Sequence, residues 1–524
     1  MKKINIFRLK FILVLVLILA LTSECTDLDL QPLDAVTEDA FFETETDFKG
    51  ATLASYSSMQ NLFATTEQNY PAFNEWFKVC YTTSDMVNTY SWNFNLLNFS
   101  KFRFLATDPS FQYIYVTIYA GIHRANLILE KIDTENELTA EEKILYEAEA
   151  KYLRAWFHFQ SYKLWGGYAP LMLETTRDIN NLVVGNSTPE ATINAIIDDF
   201  TFAKNNLPES WDDANLGRAT AWAAASYLGK THLYNKDFIN ALPEFREVYN
   251  NGPYSLMPTY DAVFDVSQEN NTESIFEIQF AGNSDDNGWV LDDFHVENFK
   301  ATQGFNRESD IGIFGAGYKP SPKYFEVSDV DEDPRLSTNI YSLGDTYYEA
   351  FGTFTLEWID STVGTTDKLI KKYRGENVPK MAPSNGAVDY NNERVFRFAD
   401  LILMYAETLI ETGGDPILAT NLINEVRLRS YPGATPIASG LSATDLTEAL
   451  RNERGLELFF EGHRYFDLVR WGIAQQTFDA IDATEDPAEV TTHTWDTKTA
   501  NGLFPIPQGE IDKSGGVLTQ IPGL

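Results

Sequence analysis

Residues 451–471 read RNERGLELFFEGHRYFDLVRW and lie near the carboxyl end of a chain of 524 residues. Arg, Glu and Asp recur along this stretch and alternate with apolar side chains: Leu456, Phe459, Phe460, Phe466 and Val469. Charged side chains interleaved with large apolar ones are rarely buried unless they are paired. We therefore predict an Arg–Glu–Asp network that ties the last helix to the fold, with a structural and not a catalytic role.

Upstream, residues 218–250 have the spacing of a tetratricopeptide helix pair. Five residues fall at matching positions: Leu228, Gly229, Ala241, Phe245 and Pro253. Gly and Ala let two helices approach closely, and Phe245 would fill the groove between them. Another pair is predicted over 393–412 and 416–430, and Ser442 is predicted to cap a helix that leads into 447–471.

Other parts of the chain also follow helical periodicity. Apolar residues recur every three or four positions in 111–132, which is typical of a helix facing a core. Thr139 and Glu142 form a capping box, and Ser187 and Glu190 have the same spacing. We predict that a helix begins at each of these two pairs.

The middle of the chain, residues 254–390, loses this periodicity and is rich in Gly, Asn, Asp and Pro. Short strands are predicted for Ser274–Phe280, Phe351–Trp358 and Lys368–Tyr373. The predicted fold class is therefore mainly α, with a scaffold of tetratricopeptide-like helical hairpins and a loop-rich insertion that carries short β-strands.

Five segments follow from these patterns. Residues 1–24 are predicted to be a lipoprotein signal peptide and 25–36 a lipidated tether. Residues 37–253 form an N-terminal helical scaffold with hairpins, 254–390 a loop-rich variable lobe, and 391–524 the C-terminal helical part of the scaffold.

The first segment has a basic start followed by an apolar run, Phe11–Leu21, that is short for a membrane span. Cys25 lies just past this run, where lipoprotein signals place the cysteine that is acylated. Glu24 stands where such signals prefer a small residue. Ordinary cleavage beside an incidental cysteine therefore stays open as an alternative.

Composition limits the possible partners. The chain has 76 Asp and Glu against 40 Lys and Arg, a formal net charge of −36. This acidity argues against binding to nucleic acid or to anionic lipid, which needs clustered Lys and Arg. Two cysteines, Cys25 and Cys80, cannot supply a disulfide framework or a four-cysteine zinc site.

Motifs for catalysis are missing from the sequence. It contains no Gly-rich phosphate loop after a strand, no HExxH helix and no G-x-S-x-G turn. The acidic run 329–333 is not a calcium loop, since Pro334 and Ile340 stand where Gly and a bidentate Glu are needed. We predict no catalytic residue, no metal and no cofactor.

Aromatic residues give the positive signal. Trp76 and Tyr81 begin a cluster of rings and polar side chains whose candidate ligand contacts are Asp85, Tyr90, Trp92, Asn93 and Asn95. A second set contains Trp289, Phe305 and Arg307. Sugar rings stack on aromatic planes while their hydroxyls bond to polar groups, so both sets suit a carbohydrate. The alternative, that these rings pack a loop onto the core, stays open.

Several motifs together resemble the SusD/RagB family, the glycan-binding surface lipoproteins that accompany TonB-dependent transporters. They are LDLQP (28–32), IHRAN (122–126), WGG (165–167), DPR (333–335), RFAD (397–400), NEVR (424–427), the charged stretch 451–471 and FPIP (504–507). The resemblance spans nearly the whole chain. It implies a helical fold, no catalysis, and ligand capture on a loop-rich face.

The resemblance also implies partners and a location. These are a glycan ligand, a SusC-like TonB-dependent barrel that the protein caps like a lid, and outer-membrane lipid through acylated Cys25. Asp27 and Asp29 resemble the acidic stretch that directs such lipoproteins to the cell surface.

The predicted function is non-catalytic capture of an oligosaccharide or polysaccharide and its delivery to the transporter. The negative charge favours a neutral glycan, with a β-glucan as the leading candidate, over alginate-like or sulfated polymers. Two alternatives stay open: a surface glycosidase that uses two of the many carboxylates, and capture of peptides or another nutrient by the same lid.

Overall fold

A computed structural model describes residues 41–63, 75–89, 94–175, 183–280, 307–308, 318–328, 332–342, 345–349, 352–355, 368–372, 388–389, 392–482 and 493–524. Helices dominate these ranges, and the strands are few and short. The predicted fold class is confirmed.

The described helices are α1 (Glu45–Phe63), α2 (Glu75–Cys80), α3 (Phe94–Ser100), α4 (Pro109–Ile132), α5 (Ala140–Trp165), α6 (Pro189–Asn206), α7 (Ala221–Tyr234), α8 (Phe238–Asn251), α9 (Pro322–Val327), α10 (Arg335–Asn339), α11 (Phe398–Glu411), α12 (Pro416–Ser430), α13 (Ala443–Glu457), α14 (Arg464–Arg470), α15 (Ala474–Asp482), α16 (Trp495–Lys498) and α17 (Gln508–Lys513).

The described strands are β1 (Val87–Thr89), β2 (Ser274–Ile278), β3 (Arg307–Glu308), β4 (Tyr318–Pro320), β5 (Ile340–Ser342), β6 (Thr346–Glu349), β7 (Gly352–Thr355), β8 (Lys368–Ile370), β9 (Val388–Asp389) and β10 (Glu393–Arg397). They form antiparallel pairs, β1 with β4, β2 with β10, β3 with β9, β5 with β8, and β6 with β7. The three predicted strands are present as β2, β7 and β8. β2 and β8 end before the predicted limits, and the other predicted residues of the second strand, 351 and 356–358, lie outside the described residues.

Both predicted helical hairpins are present. In the first, α7 and α8, a Cβ on Gly229 would lie 2.8 Å from Cε1 of Phe245, so the missing side chain lets the Phe245 ring pack directly on α7. In the second, α11 and α12, the prediction that 393–412 is helical was wrong at its start. Residues 393–397 form β10, because their backbone pairs with β2 at Phe396↔Phe276.

Helix ends follow the local sequence. Thr139 and Glu142 form the predicted capping box of α5, and the Thr139 hydroxyl accepts a hydrogen bond from the Glu142 amide. The predicted start of α6 was wrong by one residue. Pro189 occupies the first helical position, so the cap is Thr188, the residue before it, and not Ser187.

The stretch 451–471 contains the end of one helix and the whole of another, with a sharp turn between them. The chain leaves α13 after Glu457 and enters α14 at Arg464. Between them Gly462 has a φ of 72°, and a Cβ there would lie 2.6 Å from the ring of Tyr81. The turn therefore needs glycine for its backbone conformation and for the close approach of Tyr81.

The predicted charge network is confirmed, and its hub is a group of residues that we name the Arg397 cluster: Arg397, Arg429, Lys372, Glu273, Glu457 and Glu461. Arg397 donates to both oxygens of Glu461 at 2.8 Å, to Glu273 at 2.6 Å and to Glu457 at 3.0 Å. Arg429 bonds to the same Glu273 and Glu457, and Lys372 donates to Glu461 at 2.6 Å. All of these side chains are buried.

A second group, the Asp400 cluster, continues the network: Lys230, Asp400, Arg454, Asp467, Arg470 and Glu407. Asp400 accepts hydrogen bonds from Lys230 and Arg454, both at 2.8 Å. Arg454 also bonds to Asp467, which in turn accepts from Arg470. This cluster therefore links α7, α11, α13 and α14.

These charges are tolerable inside the protein only because each has partners. Burial alone would raise the pKa of the Glu457 carboxyl, but Arg429, Arg397 and Arg335 lower it to about 2. Removal of one member of such a buried set leaves an uncompensated charge, which typically costs about 3–5 kcal/mol. The network therefore specifies one arrangement of the helices.

Packing at the crossing of α4 and α5 predicts the effect of one substitution. In Gly121→Ala the new Cβ would lie 2.2 Å from Cε2 of the buried Phe157, so we expect a loss of roughly 1–3 kcal/mol of stability. Gly50→Ala in α1 is the control, because its Cβ meets nothing closer than 3.9 Å and Ala favours a helix. Denaturation midpoints of the two variants measure the difference. A Gly121→Ala midpoint at or above that of the wild type would contradict this packing.

His463 predicts how stability depends on pH. Burial, followed by the nearby Lys230, lowers the pKa of this imidazole to about 3, whereas an unfolded histidine titrates near 6.5. Between these values only the unfolded state binds the proton, so this histidine removes about 1.4 kcal/mol of stability for each pH unit of acidification. We expect His463→Gln to flatten the decline between pH 6.5 and 4, and His123→Gln, at an exposed position, to leave it unchanged. Unfolding titrations at several pH values measure both slopes, and equal slopes in the wild type and His463→Gln would refute the assignment.

Candidate functional site

Asp85 is the one predicted ligand contact whose side chain the structure describes, and it lies inside the fold. Its side chain is buried, and its two carboxylate oxygens accept from Nε and Nη2 of Arg464, each at 2.7 Å. Burial alone would lower the pKa of Arg464, but the Asp85 carboxylate raises it. Asp85 is thus engaged by Arg464 and turned away from solvent, an environment that suits positioning of the chain better than contact with a sugar.

The segment that follows Asp85 is held at both ends. The Asp85 carbonyl accepts from the Ser321 hydroxyl at 2.5 Å, and the Met86 carbonyl accepts from the Ser321 amide at 2.9 Å. Next along the chain, β1 pairs with β4, with Asn88 opposite Lys319. The Thr89 hydroxyl lies 3.0 Å from that of Ser100, at the end of α3. The two flanks of the predicted aromatic loop are therefore joined to each other and to the middle of the chain.

The remaining predicted contacts are described only in part. Tyr90, Trp92, Asn93, Trp289 and Phe305 lie outside the described residues.

Two further contacts are described by their backbone alone. Asn95 lies in the first turn of α3. Arg307 begins β3, where it pairs with Asp389 of β9. The described strands therefore join the first set to β4 and the second set to β9, and they do not join the two sets to each other.

Two rings of the first aromatic cluster belong to the core. Trp76 is buried against Phe63, with ring centroids 5.8 Å apart. Tyr81 is buried and donates its hydroxyl to Glu393 at 3.0 Å. For these two residues the packing alternative holds, because both rings are buried in the core.

A small cavity adjoins the side chains of Trp76 and Tyr81. It has a volume of about 30 Å³ and is lined by residues that include Trp76, Tyr81, Lys163 and His463. Such a volume accommodates water but not a sugar ring. Burial lowers the pKa of Lys163 to about 7, and its ammonium lies 4.6 Å from the ring centroid of Phe466. This cavity is therefore too small to be a binding site for a sugar ring.

Other predictions concern the termini and the cysteines. Cys25 and the predicted signal and tether lie outside the described residues. Cys80 is a buried free thiol, and burial raises its pKa to about 12. In the described ranges no helix has the length and apolarity of a membrane span, and no group of His, Cys, Asp and Glu is arranged to hold a metal ion.

Sequence reasoning missed the partner of Asp85. Arg464 belongs to the charged stretch 451–471 and was assigned to the structural network, but 379 residues separate it from Asp85. No local pattern connects two such positions. The structure shows that the network reaches the start of the candidate loop.

Both halves of the chain match known protein families. Residues 262–523 match the family described as the SusD family. Residues 34–233 match the family described as starch-binding, associating with the outer membrane.

Individual proteins show the same relation. The chain is 27% identical to SusD-like protein P25 of Formosa agariphila, over 85% of this chain and 86% of that protein. It is 22% identical to starch-binding protein SusD of Bacteroides thetaiotaomicron, over 88% and 89% of the two chains. A solved structure of a laminarin-binding SusD-like protein is 25% identical, covers 92% of this chain and 100% of its own, and has a TM-score of 0.72.

The Asp85–Arg464 pair makes a testable prediction. Arg464→Met leaves the Asp85 carboxylate buried without its partner, so we expect a loss of about 3 kcal/mol. The double variant Asp85→Leu/Arg464→Met removes both charges and should recover part of that loss. Chemical denaturation of the single and double variants measures the coupling between the two positions. Purely additive effects would show that the pair does not hold this segment.

Proposed function

The chain belongs to the SusD family, and from this premise we propose that it binds oligosaccharides or polysaccharides at the cell surface without cleaving them. We further propose that it delivers them to a TonB-dependent outer-membrane transporter. The observation that carries the proposal is the match of both halves of the chain to glycan-related families. The structure supports it with a helical scaffold whose Arg397 and Asp400 clusters are paired internally.

The division of roles follows from where the charges lie. In the Arg397 and Asp400 clusters every carboxylate is bonded to a buried base. Carboxylates held in this way are poor candidates for proton transfer to a glycosidic bond, because their charge is already compensated. The scaffold therefore supports binding and offers no acid–base pair for hydrolysis within these two clusters.

We propose that the ligand contacts are made by rings and polar side chains outside this scaffold. Trp92 and Trp289 would stack on sugar faces, with Tyr90 and Phe305 beside them. Asn93, Asn95 and Arg307 would bond to hydroxyl groups. Asp85 would act indirectly: its pair with Arg464 would fix the start of the loop.

A neutral glycan is the proposed substrate class, with a β-glucan as the leading candidate. The formal net charge of −36 repels polyanions such as alginate-like or sulfated polymers. A related protein of similar fold is described as laminarin-binding, and another is described as starch-binding. Laminarin and starch are therefore the first two neutral polymers to compare.

The proposed location is the outer membrane, with acylated Cys25 as the lipid anchor and a SusC-like barrel as the partner. One of the two matching families is described as associating with the outer membrane. Labelling with a radioactive fatty acid in the native host, with Cys25→Ser as the control, tests the anchor.

Affinity electrophoresis tests the binding function. We expect laminarin in a native gel to retard the purified chain, alginate to leave its mobility unchanged, and no reducing sugar to be released. Trp92→Ala should abolish most of the retardation, because loss of a stacking ring lowers the affinity several-fold. The denaturation midpoint of this variant should stay unchanged.

Ile239→Ala is the matched control, because Ile239 is 78% exposed and lies in the first turn of α8. Release of reducing sugar would favour the glycosidase instead. Absence of retardation by any neutral polymer would favour a peptide or another nutrient as the ligand.

A further inference from the structure

The connection between α6 and α7 exposes a polar run around one tryptophan. Glu209, Ser210, Asp212 and Asp213 are exposed, and Trp211 lies half-buried among them. This is the combination of ring and hydroxyl-bonding groups that suits a sugar. Here, in contrast to the two predicted loops, every side chain is described.

The Trp211 ring is fixed in place from two directions. Its indole N–H donates to the carbonyl of Ala219 at 2.7 Å, and the Arg218 guanidinium carbon lies 4.0 Å from the ring centroid. Arg218 is itself buried and donates to both oxygens of Glu149. The ring is therefore held before any ligand arrives, which lowers the entropy cost of stacking against it.

Hydrogen-bond acceptors stand beside the ring. One oxygen of Asp212 accepts from the backbone and side-chain nitrogens of Asn215, at 3.0 and 2.8 Å. Among the described residues nothing donates to its other oxygen or to the carboxylate of Asp213. These groups are exposed and can accept hydrogen bonds from sugar hydroxyls.

A purely structural role for the ring is the competing explanation. Trp211 covers the buried pair of Arg218 and Glu149, and shielding of that pair would alone justify a large side chain. Of the three other half-buried tryptophans in the described ranges, Trp222 and Trp495 pack against the main hydrophobic core, whereas Trp471, like Trp211, does not. The Trp211 ring is therefore held by polar partners at the surface, as a stacking platform requires.

We propose that Trp211, with Asp212 and Asp213, forms a second sugar-binding platform that takes one ring of a neutral polysaccharide. This proposal rests on the proposed glycan-binding function and adds a contact on the helical scaffold. Two contact points on one long chain raise its apparent affinity without strengthening either one. The platform would therefore raise the affinity for polysaccharides and hardly change the affinity for short oligosaccharides.

The test compares laminarin with laminarihexaose as probes of the purified chain. We expect Trp211→Ala to weaken retardation by laminarin about tenfold and to leave the calorimetric affinity for the hexasaccharide unchanged. Trp211→Phe keeps a ring over Arg218 and should retain most of the binding. Ile239→Ala should behave as the wild type with both probes.

A second readout removes the dependence on how well the alanine variant folds. In the wild type labelled with 5-fluorotryptophan, the ¹⁹F resonance that disappears in Trp211→Phe should shift on addition of laminarin.

The outcomes separate the two proposals. If laminarin retards the wild type and Trp211→Ala alike and the Trp211 resonance does not move, the platform is refuted and the glycan-binding function stands. A lowered denaturation midpoint in Trp211→Ala, with unchanged retardation, would assign the ring to shielding of Arg218. If laminarin does not retard the wild type and moves no resonance, the platform and the β-glucan assignment both fail.

Discussion

The guanidinium group of Arg397 is the contact on which the arrangement of the scaffold depends. It bonds to Glu273 before β2, to Glu457 at the end of α13 and to Glu461 in the turn before α14. One buried cation thereby joins three distant parts of the chain. Such a group gains little net free energy when complete, but it is costly when any partner is missing. It consequently acts as a geometric constraint more than as a source of stability.

This constraint extends to the candidate binding surface through the turn after α13. Glu461 and Arg464 stand three residues apart, one bonded to Arg397 and the other to Asp85. Asp85 lies two residues before β1, which pairs with β4. A loop inserted between such fixed flanks can change its sequence without disturbing the scaffold. If such a loop selects the ligand, as proposed above, one fold can serve different ligands.

Local sequence predicted what depends on local physics. The capping box at Thr139, the close approach at Gly229 and the presence of a charge network were all recognisable from spacing alone. Long-range pairing could not be recognised from local spacing. The strand at 393–397 forms only because β2 is available to pair with it. The burial of Asp85 could not be predicted from local sequence for the same reason. Its sequence neighbours are those of an exposed polar loop, and only Arg464, 379 residues away, makes its burial favourable.

The acidity of the chain limits the kind of ligand that it can attract. The Arg397 and Asp400 clusters contain six bases and six acids, so the net charge of −36 comes from residues outside them. A polyanionic ligand that approaches the protein is therefore repelled by its negative electrostatic field. Affinity for a neutral glycan must come instead from short-range stacking and hydrogen bonds, which salt screens little. On the proposed function, fixed rings such as Trp211, and not basic patches, would hold the ligand.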